Sequence, residues 1–324
     1  MVAKELTVDS DGVSIAARDF GGAGTALILV HGLGGTLLDW TLVAPLLTAH
    51  HHVVALDLRD HGESADGDWS PARALADLAA VAGAIGESNP AVVGHSLGGM
   101  LAAMWGATHP QCPGVVNLDF HGRRTPDQYV GLDPATLAQQ VHAYDAWLAG
   151  SLAELAGPLH AAQVDALLAR HRALATRAGA EPDVLEGAVW RSLRRQGGET
   201  RLRPDPGGLG REIFAAALRV DMLELYARIE CPLLVVSATA PPGEAVPQPI
   251  RELLAAYRIG LGRDLARLAE QRRRVRVVAV EASHALIVER PQAVAQAIVD
   301  FLAQPARAAG VPDPVRPAPG RGLG

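Results

Sequence analysis

Short apolar runs alternate with segments of helical periodicity over most of the 324-residue chain. An apolar run that ends at turn residues is typical of a strand buried on both faces of a parallel sheet. The intervening segments predict amphipathic helices that cover such a sheet. The apolar runs lie at 27–30, 53–56, 91–93, 115–118, 233–236 and 275–280. Two alternating runs, at 5–8 and 13–19, flank turn-forming residues and predict an antiparallel hairpin. We therefore expect the α/β fold class, with a mostly parallel sheet of about eight strands.

The middle of the chain lacks comparable apolar runs and has helical patterns instead. These patterns lie at 133–156, 160–178, 182–196 and 210–228. We interpret residues 121–228 as a helical lid inserted into a core formed by residues 1–120 and 229–303. Residues 241–274 exceed what a crossover between two strands requires, and they predict two helices. Residues 304–324 are rich in proline, arginine and glycine without apolar periodicity, which predicts a disordered tail.

Composition and charge exclude several classes of function. The formal net charge of −6 provides no basic surface for nucleic acid or for an anionic membrane. No apolar run approaches the roughly 20 residues that span a bilayer, and the first residues lack the layout of a signal peptide. We therefore expect a cytoplasmic protein. Cys112 and Cys231 are interpreted as small apolar residues, and the oligomeric state stays open.

One tight turn carries the strongest chemical signal in the sequence. The residues from Gly94 to Gly99 read Gly-His-Ser-Leu-Gly-Gly, directly after an apolar run and directly before a helical pattern. A G-x-S-x-G pattern between a strand and a helix is typical of a nucleophile elbow. Gly94 and Gly98 are needed because a Cβ would collide with neighbouring backbone in so sharp a bend. Ser96 is thereby presented at a helix N-terminus, which favours negative charge.

Three further loops follow apolar runs in an order that matches the elbow. A glycine-rich loop, 31–35, follows the run at 27–30, a polar turn occupies 57–64, and the loop 281–284 follows the run at 275–280. In order and spacing these segments resemble the α/β-hydrolase fold superfamily, in its serine esterase, lipase and lactonase branch. The resemblance covers about residues 5–120 and 228–303. It implies an α/β-hydrolase fold with an inserted helical lid.

Catalysis by a serine hydroxyl requires a general base, which a carboxylate in turn orients. His284 is the candidate base, because it lies in a turn after the last strand and follows the nucleophile in chain order. The resemblance places the acid after the run at 233–236, where no carboxylate occurs at the expected position. Some members of the family place the acid after the preceding strand, so the resemblance favours Asp119. Glu244 is the main alternative, and another carboxylate stays open.

The resemblance also implies an oxyanion hole made of two backbone N–H groups, those of Leu33 and Leu97. Gly32 and Gly34 would let the glycine-rich loop approach the substrate. The same resemblance implies that His31 braces this loop. Two more histidines, His95 and His121, are candidates for the wall of the substrate pocket.

The predicted activity is hydrolysis of a carboxylic ester of a mostly apolar organic substrate through an acyl-enzyme. The partner is then a small-molecule ester or lactone, and no cofactor or metal is expected. The same residues could serve a lactonase or another acyl or C–C bond hydrolase, because a fold does not fix its substrate. Two alternatives lie outside this class: a non-catalytic binding protein, and a lyase or cyclase that uses His284 without acylation.

Overall fold

The computed structural model describes residues 3–303. Its ten strands are β1 (Lys4–Ser10), β2 (Val13–Gly21), β3 (Ala26–Val30), β4 (His52–Leu56), β5 (Ala91–His95), β6 (Val115–Leu118), β7 (Leu193–Gln196), β8 (Glu199–Leu202), β9 (Leu233–Ala238) and β10 (Val275–Val280). Its α-helices are α1 (Ala44–Leu47), α2 (Pro71–Ala84), α3 (Leu97–Thr108), α4 (Pro134–Ala153), α5 (Ala161–Arg177), α6 (Glu186–Arg191), α7 (Leu209–Ala217), α8 (Met222–Arg228), α9 (Gln248–Gln271), α10 (Leu286–Glu289) and α11 (Pro291–Leu302). Short 3₁₀ segments occupy Leu37–Trp40, Pro126–Gln128 and Pro182–Leu185.

Eight of these strands form one sheet in the order β1-β2-β4-β3-β5-β6-β9-β10. The six strands from β4 to β10 in this order run parallel, whereas β1 and β2 form an antiparallel hairpin at one edge. This is the expected α/β-hydrolase architecture, and the prediction of a mostly parallel eight-stranded sheet is confirmed.

The sheet has an apolar layer on each face because its central strands are buried on both sides. Ile28 and Val30 of β3 join the layer formed with α2, α3, α8 and α9. Leu27 and Leu29 of the same strand point the other way and pack with α1, α10 and α11. All four side chains are fully buried. Continuous apolar runs are what a sheet covered on both faces requires.

The segment between β6 and β9, called the inserted segment below, contributes no strand to this sheet. It contains α4 to α8 and the hairpin of β7 and β8. Arg191 of α6 attaches it to the loop after β4, with its Nε 2.7 Å from Asp57 Oδ2. Asp57 is fully buried and also accepts the backbone N–H groups of Leu37 and Glu63. Arg203 adds a second attachment by donating to the carbonyl oxygen of Gly62 at 2.5 Å.

Three helical predictions in the sequence differ from the structure. Residues 182–196 do not form one helix, because a 3₁₀ turn and α6 end before β7 begins at Leu193. Gly197 and Gly198, with φ of 59° and 83°, form the two-residue turn to β8. Such a turn requires positive φ at both positions, and a Gly-Gly pair adopts it without strain.

Residues 241–274 form one long helix, α9, and not the expected two. The chain before Gln248 is an extended loop that contains three prolines, so the first part of the segment is not available to a helix. One face of α9 is buried along its length, through Ile250, Leu253, Tyr257, Leu261, Leu265 and Leu268. This spacing is that of a single apolar stripe.

The pattern at 210–228 likewise divides into α7 and α8. No helix within residues 3–303 is long and apolar enough to cross a membrane. The tail predicted at 304–324 lies outside the described residues.

The buried ion pair between Arg191 and Asp57 predicts a stability effect. Arg191→Met leaves a buried carboxylate without its cation, so the free energy of unfolding should fall by about 3 kcal/mol. Urea unfolding measures this. Arg172→Met is the matched control, because the Arg172 side chain is 49% exposed and its ion pair with Glu186 should contribute less than about 1 kcal/mol. Equal decreases in the free energy of unfolding of the two variants would contradict a stabilising role for the buried ion pair.

Candidate active site

The turn between β5 and α3 holds Ser96 in a conformation that L-residues rarely adopt, with φ of 52° and ψ of −122°. Close packing of the backbone requires glycine on both sides of it. A Cβ on Gly94 would lie 1.8 Å from the carbonyl oxygen of Gly98, and one on Gly98 would lie 2.2 Å from that of Val30. Both distances are impossible for real atoms, so the turn accepts only glycine there. Ser96 Oγ makes no capping hydrogen bond to α3.

The turn after β6 carries Asp119 in a left-handed conformation, with φ of 62°. Asn117 holds this turn: its Oδ1 accepts the Phe120 N–H at 3.0 Å, and its Nδ2 donates to the Phe120 carbonyl oxygen at 2.6 Å. The same Nδ2 also contacts the hydroxyl of Tyr226. Asp119 itself is fixed by its N–H, which donates to the Val236 carbonyl oxygen at 2.8 Å.

The carboxylate of Asp119 joins two imidazoles to the sheet. Its Oδ2 lies 2.8 Å from His284 Nδ1, and its Oδ1 lies 3.2 Å from His121 Nε2. Oδ1 also accepts the N–H of Ala238 at 2.8 Å. Burial acts to raise the pKa of Asp119, but the hydrogen bonds from His121 and His284 outweigh it and hold the pKa well below its usual range. The group is therefore an ionised acceptor at neutral pH.

His284 lies in the loop between β10 and α10, and neighbouring side chains support that loop. Glu289 accepts the backbone N–H of Ser283 at 2.7 Å and its hydroxyl at 2.9 Å. His95 Nε2 donates to the carbonyl oxygen of His284 at 2.8 Å, and the two rings are 4.9 Å apart. Burial and the nearby His284 lower the pKa of His95 to about 3, so its ring is neutral. The His284 side chain is 58% exposed.

Ser96, Asp119, His121 and His284 all line one cavity of about 440 Å³ at the carboxyl edge of the sheet. Much of its remaining wall is apolar and comes from the inserted segment, from α9 and from β10. These residues include Phe214, Leu218, Leu254, Leu261, Leu265, Val277 and Val278. The structure thus brings together the predicted nucleophile, base and acid on one concave surface.

The other predicted site residues lie around this cavity. Leu97 is the first residue of α3, where a backbone N–H has no acceptor within the helix. The glycine-rich loop passes against the elbow, since a Cβ on Gly32 would be 3.0 Å from Ser96 Cβ. Leu33 follows and is half-buried.

The residues that line the cavity do not include Gly32, Gly34 or His95. Glu244 is exposed in the loop before α9.

One buried histidine braces the glycine-rich loop, and a second lies against it. His31 Nε2 accepts the N–H of Leu58 at 3.0 Å, and its Nδ1 donates to the carbonyl oxygen of Gly32 at 2.7 Å. The ring of His61 lies 5.0 Å away. Burial lowers the pKa of His31 to about 4 and that of His61 to about 3, so both rings are neutral.

Sequence reasoning missed three residues at the cavity or beside it. Arg124 and Arg258 line the cavity, and Asn117 holds the turn that carries Asp119. A signal existed for Asn117, because it is the polar member of an otherwise apolar strand. No local pattern distinguishes Arg124 or Arg258 from the other arginines of the chain, because their roles arise from tertiary contacts.

An eight-stranded sheet with a nucleophile elbow, an imidazole and a carboxylate at its carboxyl edge defines the α/β-hydrolase class. A family model described as "Alpha/beta hydrolase family" matches residues 27–297. The chain belongs to this family.

Curated relatives match over short segments. The dihydrolipoyllysine-residue acetyltransferase component of the acetoin cleaving system of Cupriavidus necator is 36% identical over 110 residues, 32% of this chain. The N-formylmaleamate deformylase of Pseudomonas putida is 34% identical over 98 residues, 29% of this chain. The chain spans only 28% and 37% of the length of these relatives.

Solved structures match over nearly the whole chain but share the fold alone. The crystal structure of E-2-(acetamidomethylene)succinate hydrolase has a TM-score of 0.63 and covers 93% of this chain and 99% of its own. Its sequence identity is 18%.

The packing of the elbow predicts a large effect of one methyl group. Gly94→Ala places a Cβ inside the backbone of α3, so we expect it to lower the free energy of unfolding by more than about 3 kcal/mol. Gly150→Ala, in exposed α4 with open space around its Cα, should instead stabilise by up to about 1 kcal/mol. Thermal and urea unfolding compare the pair, and a stable Gly94→Ala variant would contradict the packing.

The buried state of His61 predicts a pH dependence of stability. Between its folded pKa of about 3 and its ordinary value of 6.5, the unfolded chain binds a proton that the folded protein excludes. The contribution of neutral His61 is complete above about pH 6.5 and is lost as the pH falls toward 3. Urea unfolding at several pH values should show that the free energy of unfolding falls less steeply with decreasing pH in His61→Asn than in the wild-type protein. The control is exposed His142→Asn, and a His61→Asn curve parallel to wild type would refute this role.

Proposed function

We propose that the protein is a serine hydrolase that cleaves a carboxylic ester of a mostly apolar organic substrate through an acyl-enzyme. The observation that carries the proposal is the 2.8 Å hydrogen bond from His284 Nδ1 to Asp119 Oδ2, in a cavity that Ser96 also lines. A carboxylate that binds Nδ1 leaves Nε2 of the imidazole as the basic nitrogen, which is the arrangement that activates a serine hydroxyl.

In the first half of the reaction, Ser96 Oγ attacks the ester carbonyl carbon while His284 Nε2 takes the hydroxyl proton. The tetrahedral oxyanion is stabilised by the backbone N–H groups of Leu33 and Leu97. Each such donor typically contributes about 3 kcal/mol to the transition state. Collapse of the intermediate breaks the bond to the alcohol oxygen, and His284 gives its proton to the departing alcohol.

In the second half, His284 takes a proton from water, whose oxygen attacks the acyl carbon. Collapse then breaks the bond to Ser96 Oγ, which recovers the proton from His284, and releases the carboxylic acid. Asp119 stays ionised throughout, because its hydrogen bonds keep its pKa well below neutral pH. Its charge stabilises the imidazolium that forms twice in each cycle.

The walls of the cavity support the assignment of a mostly apolar substrate. Phe214 and Leu218 belong to the inserted segment, and Val277 and Val278 belong to β10. We infer that residues 121–228 act as the lid of the site, over the core formed by 1–120 and 229–303. A lactone would be opened by the same steps, with its alcohol oxygen remaining attached to the acyl-enzyme.

A fluorophosphonate probe tests the nucleophile. Wild-type protein should be labelled at neutral pH, and Ser96→Ala should abolish labelling and ester turnover. Asp119→Asn should lower kcat by about 10⁴-fold, because the imidazole loses its orienting carboxylate. Glu244→Gln is the matched control and should change kcat less than about twofold, because Glu244 is exposed. An unlabelled wild-type protein, or the reverse order of the two acid variants, would refute this mechanism.

A further inference from the structure

The cavity contains a guanidinium group that is enclosed by aromatic rings. Arg124 lies in the loop after β6, and its guanidinium carbon is 5.0 Å from the ring centroid of Tyr144 and 4.8 Å from that of Tyr257. Tyr144 comes from α4 of the inserted segment and Tyr257 from α9. Rings that cover a guanidinium leave its N–H groups available at the edge of the plane.

A second cation, Arg258, faces the same cavity from α9. Within residues 3–303, Asp119 is the one carboxylate that lines this cavity, and it is engaged by His121, His284 and the N–H of Ala238. Asp145 faces the adjoining cavity that Arg124 also lines, and it forms no ion pair with Arg124 among the described residues. The cavity therefore carries more positive charge than its own residues neutralise.

Within residues 3–303 neither Arg124 nor Arg258 forms an ion pair with a carboxylate, which sets them apart from buried arginines elsewhere in the fold. Arg59 is paired with Asp77 at 2.6 Å, and Arg191 is paired with Asp57 at 2.7 Å. Removing a cation from water without a counter-charge is unfavourable, so a partly buried and unpaired guanidinium is unusual in a stable fold. A bound anion would remove that penalty.

Polar atoms without partners belong to the same wall. Within the described chain, Ser237 Oγ, Tyr257 Oη and His121 Nδ1 are buried and lack a hydrogen-bond partner. All three residues line the cavity. Buried polar groups in native proteins are almost always satisfied, so three unsatisfied groups on residues that line the same cavity as two arginines favour a polar ligand there.

We propose that the substrate carries a carboxylate, separate from the ester that is hydrolysed, and that Arg124 binds this carboxylate while Arg258 adds a second positive charge. The planar fork of a guanidinium matches the two oxygens of a carboxylate. The proposal rests on the proposed function, and it narrows the substrate class to anionic esters or lactones with an apolar body. Arg124 is then the residue that determines specificity.

The test compares two phenyl esters that differ in one group. Monophenyl glutarate carries a free carboxylate, and its carboxamide analogue is a neutral molecule of nearly the same shape. Wild-type kcat/KM should favour the carboxylate about 30-fold, which is typical of a hydrogen-bonded charge pair. Arg124→Gln should reduce this ratio to below about threefold. The control Arg267→Gln removes an exposed cation from the same helix as Arg258 and should preserve the ratio.

A binding measurement separates this proposal from the proposed function. Calorimetry with Ser96→Ala protein should give tighter binding of monophenyl glutarate than of the amide, and a second change, Arg124→Gln, should remove the difference. That result supports the anion site even if no ester is turned over. Serine-dependent turnover with equal kcat/KM for both esters would overturn the anion site and leave the hydrolase intact. If Arg124→Gln does not fold, the fallback variant is Arg258→Gln, which should lower the same kcat/KM ratio. The proposal would also be refuted if Arg258→Gln left the ratio unchanged and glutarate did not inhibit the wild-type protein.

Discussion

The hydrogen bonds of Asp119 depend on the register of the sheet. β6 pairs with β9 so that Leu118 faces Val236, and β9 pairs with β10 so that Ala238 faces Val280. Asp119 therefore reaches across to the N–H of Ala238, and the loop that carries His284 begins beside it. A shift of one residue between β6 and β9 would turn the carboxylate toward the opposite face. The hydrogen bond between Asp119 and His284 thus couples the chemistry of the site to strand pairing in the core.

The fold could be predicted wherever a local pattern was sufficient. Continuous apolar runs predicted the parallel strands, because burial on both faces leaves no polar positions. The elbow could also be predicted from a local pattern, because its glycines are required by contacts within a single turn and with the adjacent β3. The predictions failed in the inserted segment and after β9. There a Gly-Gly pair converts a helical pattern into a hairpin, and proline-rich chain displaces the start of α9.

The candidate site was harder to predict because it depends on which strands are neighbours. The sequence left Asp119 and Glu244 as alternatives, since an acid after either β6 or β9 would lie at the same edge of the sheet. In the structure the left-handed turn that Asn117 supports directs Asp119 to His284. Arg124 could not be found in this way. Its environment is assembled from Tyr144 and Tyr257, which belong to helices far apart in the chain.

The charges in the cavity connect the proposed mechanism to the proposed substrate. In the proposed mechanism, Asp119 stabilises the imidazolium that forms on His284, but this cation forms in a cavity that already holds Arg124 and Arg258. Two extra cations in a partly buried space oppose a third. A carboxylate on the substrate would neutralise one of them before the proton moves, so that its binding also favours the protonated base. An anionic substrate would then gain in kcat as well as in affinity, because part of its binding energy is expressed in the transition state.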